Sequence, residues 1–302
     1  MKSGDAVGVP LGSSGEPVRD PEKTAMDRTS VLITGAAGGL GSLLARALAQ
    51  RYPLELLDRC DLRSSPTCLF HKVDLSGKDA LRDRLSTVDT IVHLAGIPTN
   101  NASWEALFAS NVLATQYLLQ AALDQGCRRV ILASSVQVMD GYPRGTDIRP
   151  DMSVWPTNLY AVSKACAEAI AARFGNRSAL SVICLRLGWV LPRADWRITP
   201  FSPYLDRVLT REDFIRSICA AIDAPAAVHF GIFHILSNNR HNRLNIDQTR
   251  KILLYEPQDD AFRLARWNIR GMIARSGVRL RRSVRRVFGR VTVKGPIGRE
   301  NL

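Results

Sequence analysis

The chain has 302 residues, 46% hydrophobic and 23% charged, which is apolar material enough for one large α/β domain or two smaller ones. Its net charge of +13 is unevenly placed: from Arg263 to Leu302 eleven Arg and one Lys face the single acid Glu300, and the remainder is nearly balanced. No uninterrupted apolar run is long enough to cross a bilayer, and Met1 to Asp27 has Gly, Pro and charges where a secretory signal needs an apolar block. A cytoplasmic location is the default expectation. The cysteines Cys60, Cys68, Cys127, Cys166, Cys184 and Cys219 lack C-x-x-C pairing and zinc partners, so packed thiols and no metal are expected.

The segment 1–28 is rich in Gly, Pro and Ser and reads as a mobile leader. Val31 to Thr34 then forms an apolar strand ending in glycines, and Leu40 to Gln50 has helical composition, which opens a βαβ unit. Further strands are expected at Leu54 to Leu57, Leu69 to Val73, Thr90 to Leu94, Val130 to Ala133 and Leu180 to Leu185, with helices over Trp104 to Asp124 and Leu159 to Phe174. Continuous apolar strands alternating with helices imply a parallel, doubly wound α/β sheet of Rossmann type, buried on both faces. Past Arg186 the regularity weakens. A loop-like stretch from Pro192 to Pro203, a helix over Arg211 to Ile222 and a strand over Ile232 to Leu236 suggest a small C-terminal substrate-side subdomain. The expected organisation is a leader (1–28), a cofactor-binding core (29–186), a substrate-side subdomain (187–262) and a basic tail (263–302).

The turn Thr34-Gly35-Ala36-Ala37-Gly38-Gly39-Leu40-Gly41 places glycines where a strand becomes a helix, so a pyrophosphate can approach the backbone and meet the helix N-terminus. Alone, such a cluster is weak evidence. Asp58 strengthens it, lying about twenty residues on, where a carboxylate accepts hydrogen bonds from ribose hydroxyls and repels a 2′-phosphate. NAD is therefore expected over NADP, with the adjacent Arg59 able to argue the other way. Asp74, followed by Leu75 beyond the third strand, is placed to reach an adenine edge or to cap a turn.

Tyr160-Ala161-Val162-Ser163-Lys164 sets a phenol and an ammonium on one helix face, and a nearby cation is expected to lower the phenol's pKa for general-base work on an alcohol. Ser135, at the end of the preceding strand, is placed to hydrogen-bond the same oxygen. Each residue has a dull explanation by itself; their order behind the glycine turn is the signal.

These motifs, with His93-Leu94-Ala95-Gly96, Asn111 and Ser134-Ser135, resemble the extended short-chain dehydrogenase/reductases, the family of NAD-dependent epimerases and dehydratases of sugars, over about residues 29 to 262. The resemblance implies Tyr160 as acid/base, Lys164 also holding the nicotinamide ribose, Ser135 positioning the reacting oxygen, His93 to Gly96 lining the cofactor, and Asn111 anchoring the central helix. Within the family the chain is similar to the uronate dehydrogenase group through Asn158-Leu159-Tyr160, Arg186-Leu187-Gly188, Asp195-Trp196-Arg197, the helix around Arg211 to Phe214 and Asp259 to Phe262. That similarity makes Arg197 a clamp for a substrate carboxylate and Phe262 an aromatic at the pocket edge. It also marks departures: Ser135-Val136-Gln137 stands where that group has Ser-Asn-His, and Pro98 and Trp189 stand where it places serines. Gln137 and Trp189 are thus substrate-side candidates, and the implied substrate is a small sugar, sugar acid or similar polar alcohol different from that group's own.

Two other readings stay open at this point, a nucleotide-sugar epimerase or dehydratase that returns its hydride, and a non-catalytic NAD(H)-binding regulator on the same fold. A homo-oligomer is expected. The arginines of the tail alternate with Leu264, Trp267, Ile269 and further apolar residues, a pattern that fits a basic amphipathic helix on an anionic membrane surface or acidic partner, or a solvated extension. Nucleic acid is not expected, since no recognised module accompanies the charge.

Overall fold

A computed structural model describes residues 29–62, 68–81, 84–191, 202 and 204–265. The leader, nearly all of the basic tail and Asp195-Trp196-Arg197 lie outside these described residues.

Seven parallel strands form one sheet in the order β3-β2-β1-β4-β5-β6-β9. They are β1 (Val31–Thr34), β2 (Leu54–Asp58), β3 (Leu69–Lys72), β4 (Thr90–His93), β5 (Arg129–Ser135), β6 (Ser181–Leu187) and β9 (Phe230–Ile235). A short pair, β7 (Trp189–Leu191) and β8 (Val208–Thr210), stands apart with Trp189 opposite Val208. The helices are α1 (Gly39–Leu48), α2 (Trp104–Leu107), α3 (Ala114–Asp124), α4 (Leu159–Arg177), α5 (Arg211–Ile222) and α6 (Asp247–Leu253).

Alternation along each strand divides the core into two layers. Val31 and Ile33 of β1, with Ile183 and Leu185 of β6, face α1 and α5 through Leu44, Leu48, Phe214 and Ile218. Leu32, Val130 and Val182 face the other way, onto Leu118 of α3 and Ala167 and Phe174 of α4. Both faces are covered, as continuous apolar strands require. The exception is β3, the edge strand, where Leu69 is 60% exposed.

The segment Trp104–Asp124 is long and apolar enough to cross a membrane by length and composition, yet here Leu107, Leu118, Leu119 and Ala122 are buried in the protein core. It is not one regular helix. A π-helical turn over Phe108–Leu113 separates α2 from α3 and carries Asn111. The Asn111 side chain accepts from the Ile97 amide (2.8 Å) and donates to the Ile97 carbonyl (3.1 Å) and to Ser163 Oγ (2.9 Å), locking the loop after β4 to α4. Beyond Arg186 the chain also returns to the main sheet, because β9 pairs in parallel with β6.

Strand order reverses between β1 and β4, so their connecting segments leave on opposite sides and open a crevice at the carboxyl ends of the strands. The last residues of β2, β5 and β6 (Asp58, Ser135 and Leu187) and those just after β1 and β4 (Gly35 and Leu94) all line it.

Candidate active site

The crevice has a volume of about 1290 Å³. At one end the turn after β1 is built around close backbone packing. Gly35 has φ +72°, and a Cβ there would lie 2.7 Å from the Ala95 nitrogen; one on Gly41 would meet the Gly35 carbonyl oxygen at 2.1 Å. Gly38 is the N-cap of α1 without a side-chain hydrogen bond, and the first turn carries no acid, so amides and the positive helix end remain available to an anion. Gly38, Gly39, Leu40 and Gly41 all line the crevice. Asp58 is fixed beside them, Oδ2 accepting from the Ala37 amide and Oδ1 from the Cys60 amide, each at 2.9 Å. Asp74 caps a turn through the Ser76 amide at 2.9 Å, which holds its carboxyl below the ordinary value, and it lines the crevice together with Leu75. An uncapped helix end, a turn too tight for side chains and a carboxylate fixed at the edge of that turn fit a dinucleotide with free ribose hydroxyls.

Leu94, Ala95 and Gly96 line the next stretch. His93 does not, which corrects the expectation that it contacts the cofactor. Its ring is fully buried between Thr34 (2.8 Å from Nδ1) and Thr115 (3.2 Å from Nε2), and burial lowers its pKa to about 3, so it is a neutral tie between β1, β4 and α3.

Ser135, Tyr160 and Lys164 meet in the middle of the crevice. Asn158 begins α4, its Oδ1 accepting from the Ala161 amide at 2.8 Å, and this sets Tyr160 in the first turn with Lys164 one turn later. Lys164 Nζ donates to the Ala133 carbonyl at 2.9 Å, and burial brings its pKa down to about 8 against the opposing pull of Glu168. Burial pushes the Tyr160 phenol above its ordinary value, and a hydrogen bond with Ser135 pulls it back. The expected lowering by Lys164 is therefore not what the structure displays: desolvation dominates, and Ser135 is the group that opposes it.

Behind this trio lies a buried ion pair. Glu168 accepts from Arg186 Nε and Nη2 at 2.9 Å each and from Ser134 Oγ at 2.6 Å, while Arg186 Nη1 donates to the Pro150 carbonyl at 3.1 Å. The network ties β5, β6 and α4 together.

The far end is lined by Pro98, Val136, Gln137, Trp189, Tyr204 and Arg207. Gln137 Oε1 accepts from Asn158 Nδ2 at 3.1 Å, so that carboxamide is already oriented. Trp189 is 49% exposed and meets Tyr204 edge to face at 5.3 Å. Arg207 donates to Asp140 Oδ1 at 2.7 Å and lies over the Tyr204 ring. Phe262 is not a wall of the crevice, contrary to expectation. Its ring stands edge-on to His241 at 5.2 Å and packs on Leu205, Val208, Ala261 and Ala265, a contact that draws it away. Arg197 lies outside the described residues. Arg207 and Asp140 are missed by sequence reading, which takes Arg211 only as the start of the helix around Arg211 to Phe214 and not as a crevice residue; pairing of β7 with β8 is what brings both arginines to the crevice. Among the described residues no group of His, Cys, Asp or Glu is arranged to hold a metal ion.

Residues 31–196 match the model of the NAD dependent epimerase/dehydratase family. The chain is 28% identical over 258 residues to an NAD-dependent glucose-6-phosphate dehydrogenase of Haloferax volcanii, covering 76% of this chain and 94% of that one. It is 27% identical over 213 residues to a uronate dehydrogenase of Pseudomonas syringae pv. tomato, covering 69% and 74%. Among solved structures, a mutant uronate dehydrogenase of Agrobacterium tumefaciens complexed with NAD superposes with a TM-score of 0.71 at 26% identity, covering 79% of this chain and 88% of that one.

Proposed function

The chain belongs to the NAD dependent epimerase/dehydratase family, with NAD as its cofactor, and from that premise we propose that it oxidises a secondary alcohol or lactol hydroxyl of a small sugar or sugar acid, with Tyr160 as the acid/base. The observation that carries the reading is the convergence of Ser135, Tyr160 and Lys164 in the same crevice as the glycine turn and Asp58. The named activities of the relatives, on glucose 6-phosphate and on uronates, support a sugar-sized substrate.

When bound, NAD supplies the two-electron acceptor for the C–H bond that is broken. The chain supplies the proton chemistry. Ser135 Oγ holds the reacting hydroxyl, and Tyr160 takes its proton. A phenolate in so buried a place is costly, and the hydrogen bond with Ser135 is what opposes that cost, with Lys164 one helical turn away. With its pKa near 8, Lys164 is charged at neutral pH and loses that charge in mild alkali. Gly38 to Gly41 and Asp58 would hold the pyrophosphate and the adenosine ribose, and Leu94 to Gly96 the floor beneath the nicotinamide half. Trp189 and Gln137 shape a pocket that suits a ring-sized substrate and leaves fewer hydroxyl contacts than a polyol-specific site would have.

The test is a panel of uronic acids, aldoses and nucleotide sugars with NAD and NADP, followed at the absorbance of reduced cofactor. The reading expects net NADH formation with a free sugar or sugar acid. Conversion of a nucleotide sugar without NADH release would replace it with epimerisation or dehydration.

A further inference from the structure

Helices α1 and α5 pack on the same face of the sheet, where Leu44 and Leu48 of α1 share a core with Phe214, Ile218 and Ile222 of α5. Their C-terminal ends are tied together. Tyr52 Oη, just past α1, donates to Asp223 Oδ1 at 2.9 Å, and Asp223 is the C-cap of α5 and also pairs with Arg51. The two helices have 10 and 12 residues, so at about 1.5 Å per residue their lengths differ by only about 3 Å. With one pair of ends joined, the other pair stands nearly level. Arg211, the first residue of α5, and the glycine turn that opens α1 therefore stand at the same end of the two helices, and both line the crevice. Of the other cations there, Arg207 is neutralised by Asp140, Lys164 sits below Tyr160, and Arg59 is at the adenosine end beside Asp58. No carboxylate pairs with Arg211 among the described residues.

We infer that Arg211 binds the pyrophosphate of NAD from the side opposite the glycine turn. This rests on the reading of the crevice as the NAD site. The glycine turn offers amides and a helix dipole but no whole charge, whereas a pyrophosphate carries two; a guanidinium supplies one in a geometry suited to phosphate oxygens. The consequence is structural as well as electrostatic, because a residue preceded by β8 and followed by α5 would close the second half of the chain onto the cofactor.

The experiment measures binding of NADH, ADP-ribose and adenosine to the purified full chain by fluorescence and calorimetry, for wild type, Arg211→Gln, Arg211→Lys and the surface control Arg149→Gln. Loss of one charge-assisted contact is expected to weaken NADH and ADP-ribose about tenfold in Arg211→Gln, with partial recovery in Arg211→Lys. Adenosine, which lacks phosphate, should bind all variants alike, and Arg149→Gln should match wild type. If Arg211→Gln binds NADH and ADP-ribose as wild type does, Arg211 is not a pyrophosphate ligand; unchanged NADH binding with a raised KM for anionic sugars alone would reassign it to the substrate. If wild type binds no NADH, the NAD reading itself fails along with this one.

Discussion

Replacing Glu168 with Gln removes one charge from a pair in which Arg186 and Glu168 are 2% and 4% exposed. The amide keeps the shape and one acceptor, but its NH₂ then faces a guanidinium donor, and Arg186 is left as a buried cation without a counter-charge. Breaking a buried pair in this way costs about 3–5 kcal/mol. At about 2–4 °C per kcal/mol for a domain of this size, Tm should fall by about 6–20 °C in differential scanning calorimetry. The double variant Glu168→Met/Arg186→Leu should recover much of that loss, since removing both charges removes the desolvation problem. A second readout is chemical. Glu168 raises the pKa of Lys164, so in Glu168→Gln that pKa moves further below about 8 and the alkaline limb of the activity profile shifts to lower pH. A Tm within about 2 °C of wild type, or a limb that does not move, would refute the reasoning.

The charge on Lys164 also leaves a mark on stability. Its folded pKa of about 8 lies below the ordinary 10.5, so the folded state bears a buried ammonium below pH 8, and that burden is relieved as pH rises toward 10.5. The stability advantage of Lys164→Met over wild type should therefore shrink by about 3 kcal/mol across that window in denaturant titrations, and a flat difference would contradict the assignment. Gly35→Ala forces a left-handed residue against the Ala95 backbone; the conformation alone costs about 1–2 kcal/mol, and calorimetry should register a lower Tm together with weakened NADH binding. Asp58→Ser removes the carboxylate that repels a 2′-phosphate while leaving Arg59 to accept one. The ratio of NADP to NAD turnover should rise about tenfold, measured by parallel kcat/KM determinations.

The parts of this fold that can be read along the chain are those whose signal is local and long enough. Val31 to Thr34 followed by the glycines is a strand and a tight turn on any reading, and β1 occupies those residues. The strands β7 and β8 have three residues each, too few to show a period, and they pair across a separation that no window spans. The π-helical turn at Phe108–Leu113 is invisible because its residues are ordinary helix formers; only the demand of Ile97 and Ser163 on Asn111 distinguishes it. The same division holds in the crevice. Tyr160 and Lys164 are legible because a helix fixes their separation, whereas Arg207 and Arg211 enter through tertiary pairing. Phe262 fails for a related reason: a matching residue type says nothing about the neighbour, here His241, that turns its ring elsewhere. Burial was likewise hidden, and it is burial that raises the Tyr160 phenol against the simple expectation from a nearby cation.

The central claim, that this chain performs NAD-linked oxidation through Tyr160, is met most directly by one paired measurement on Tyr160→Phe: NADH affinity by fluorescence and turnover on the substrate found in the panel. The phenyl ring fills the same space without the hydroxyl, so binding should stay within about threefold of wild type while kcat falls by at least about 100-fold. Turnover that survives the substitution, with NADH still bound, would contradict the assignment of Tyr160 as the acid/base.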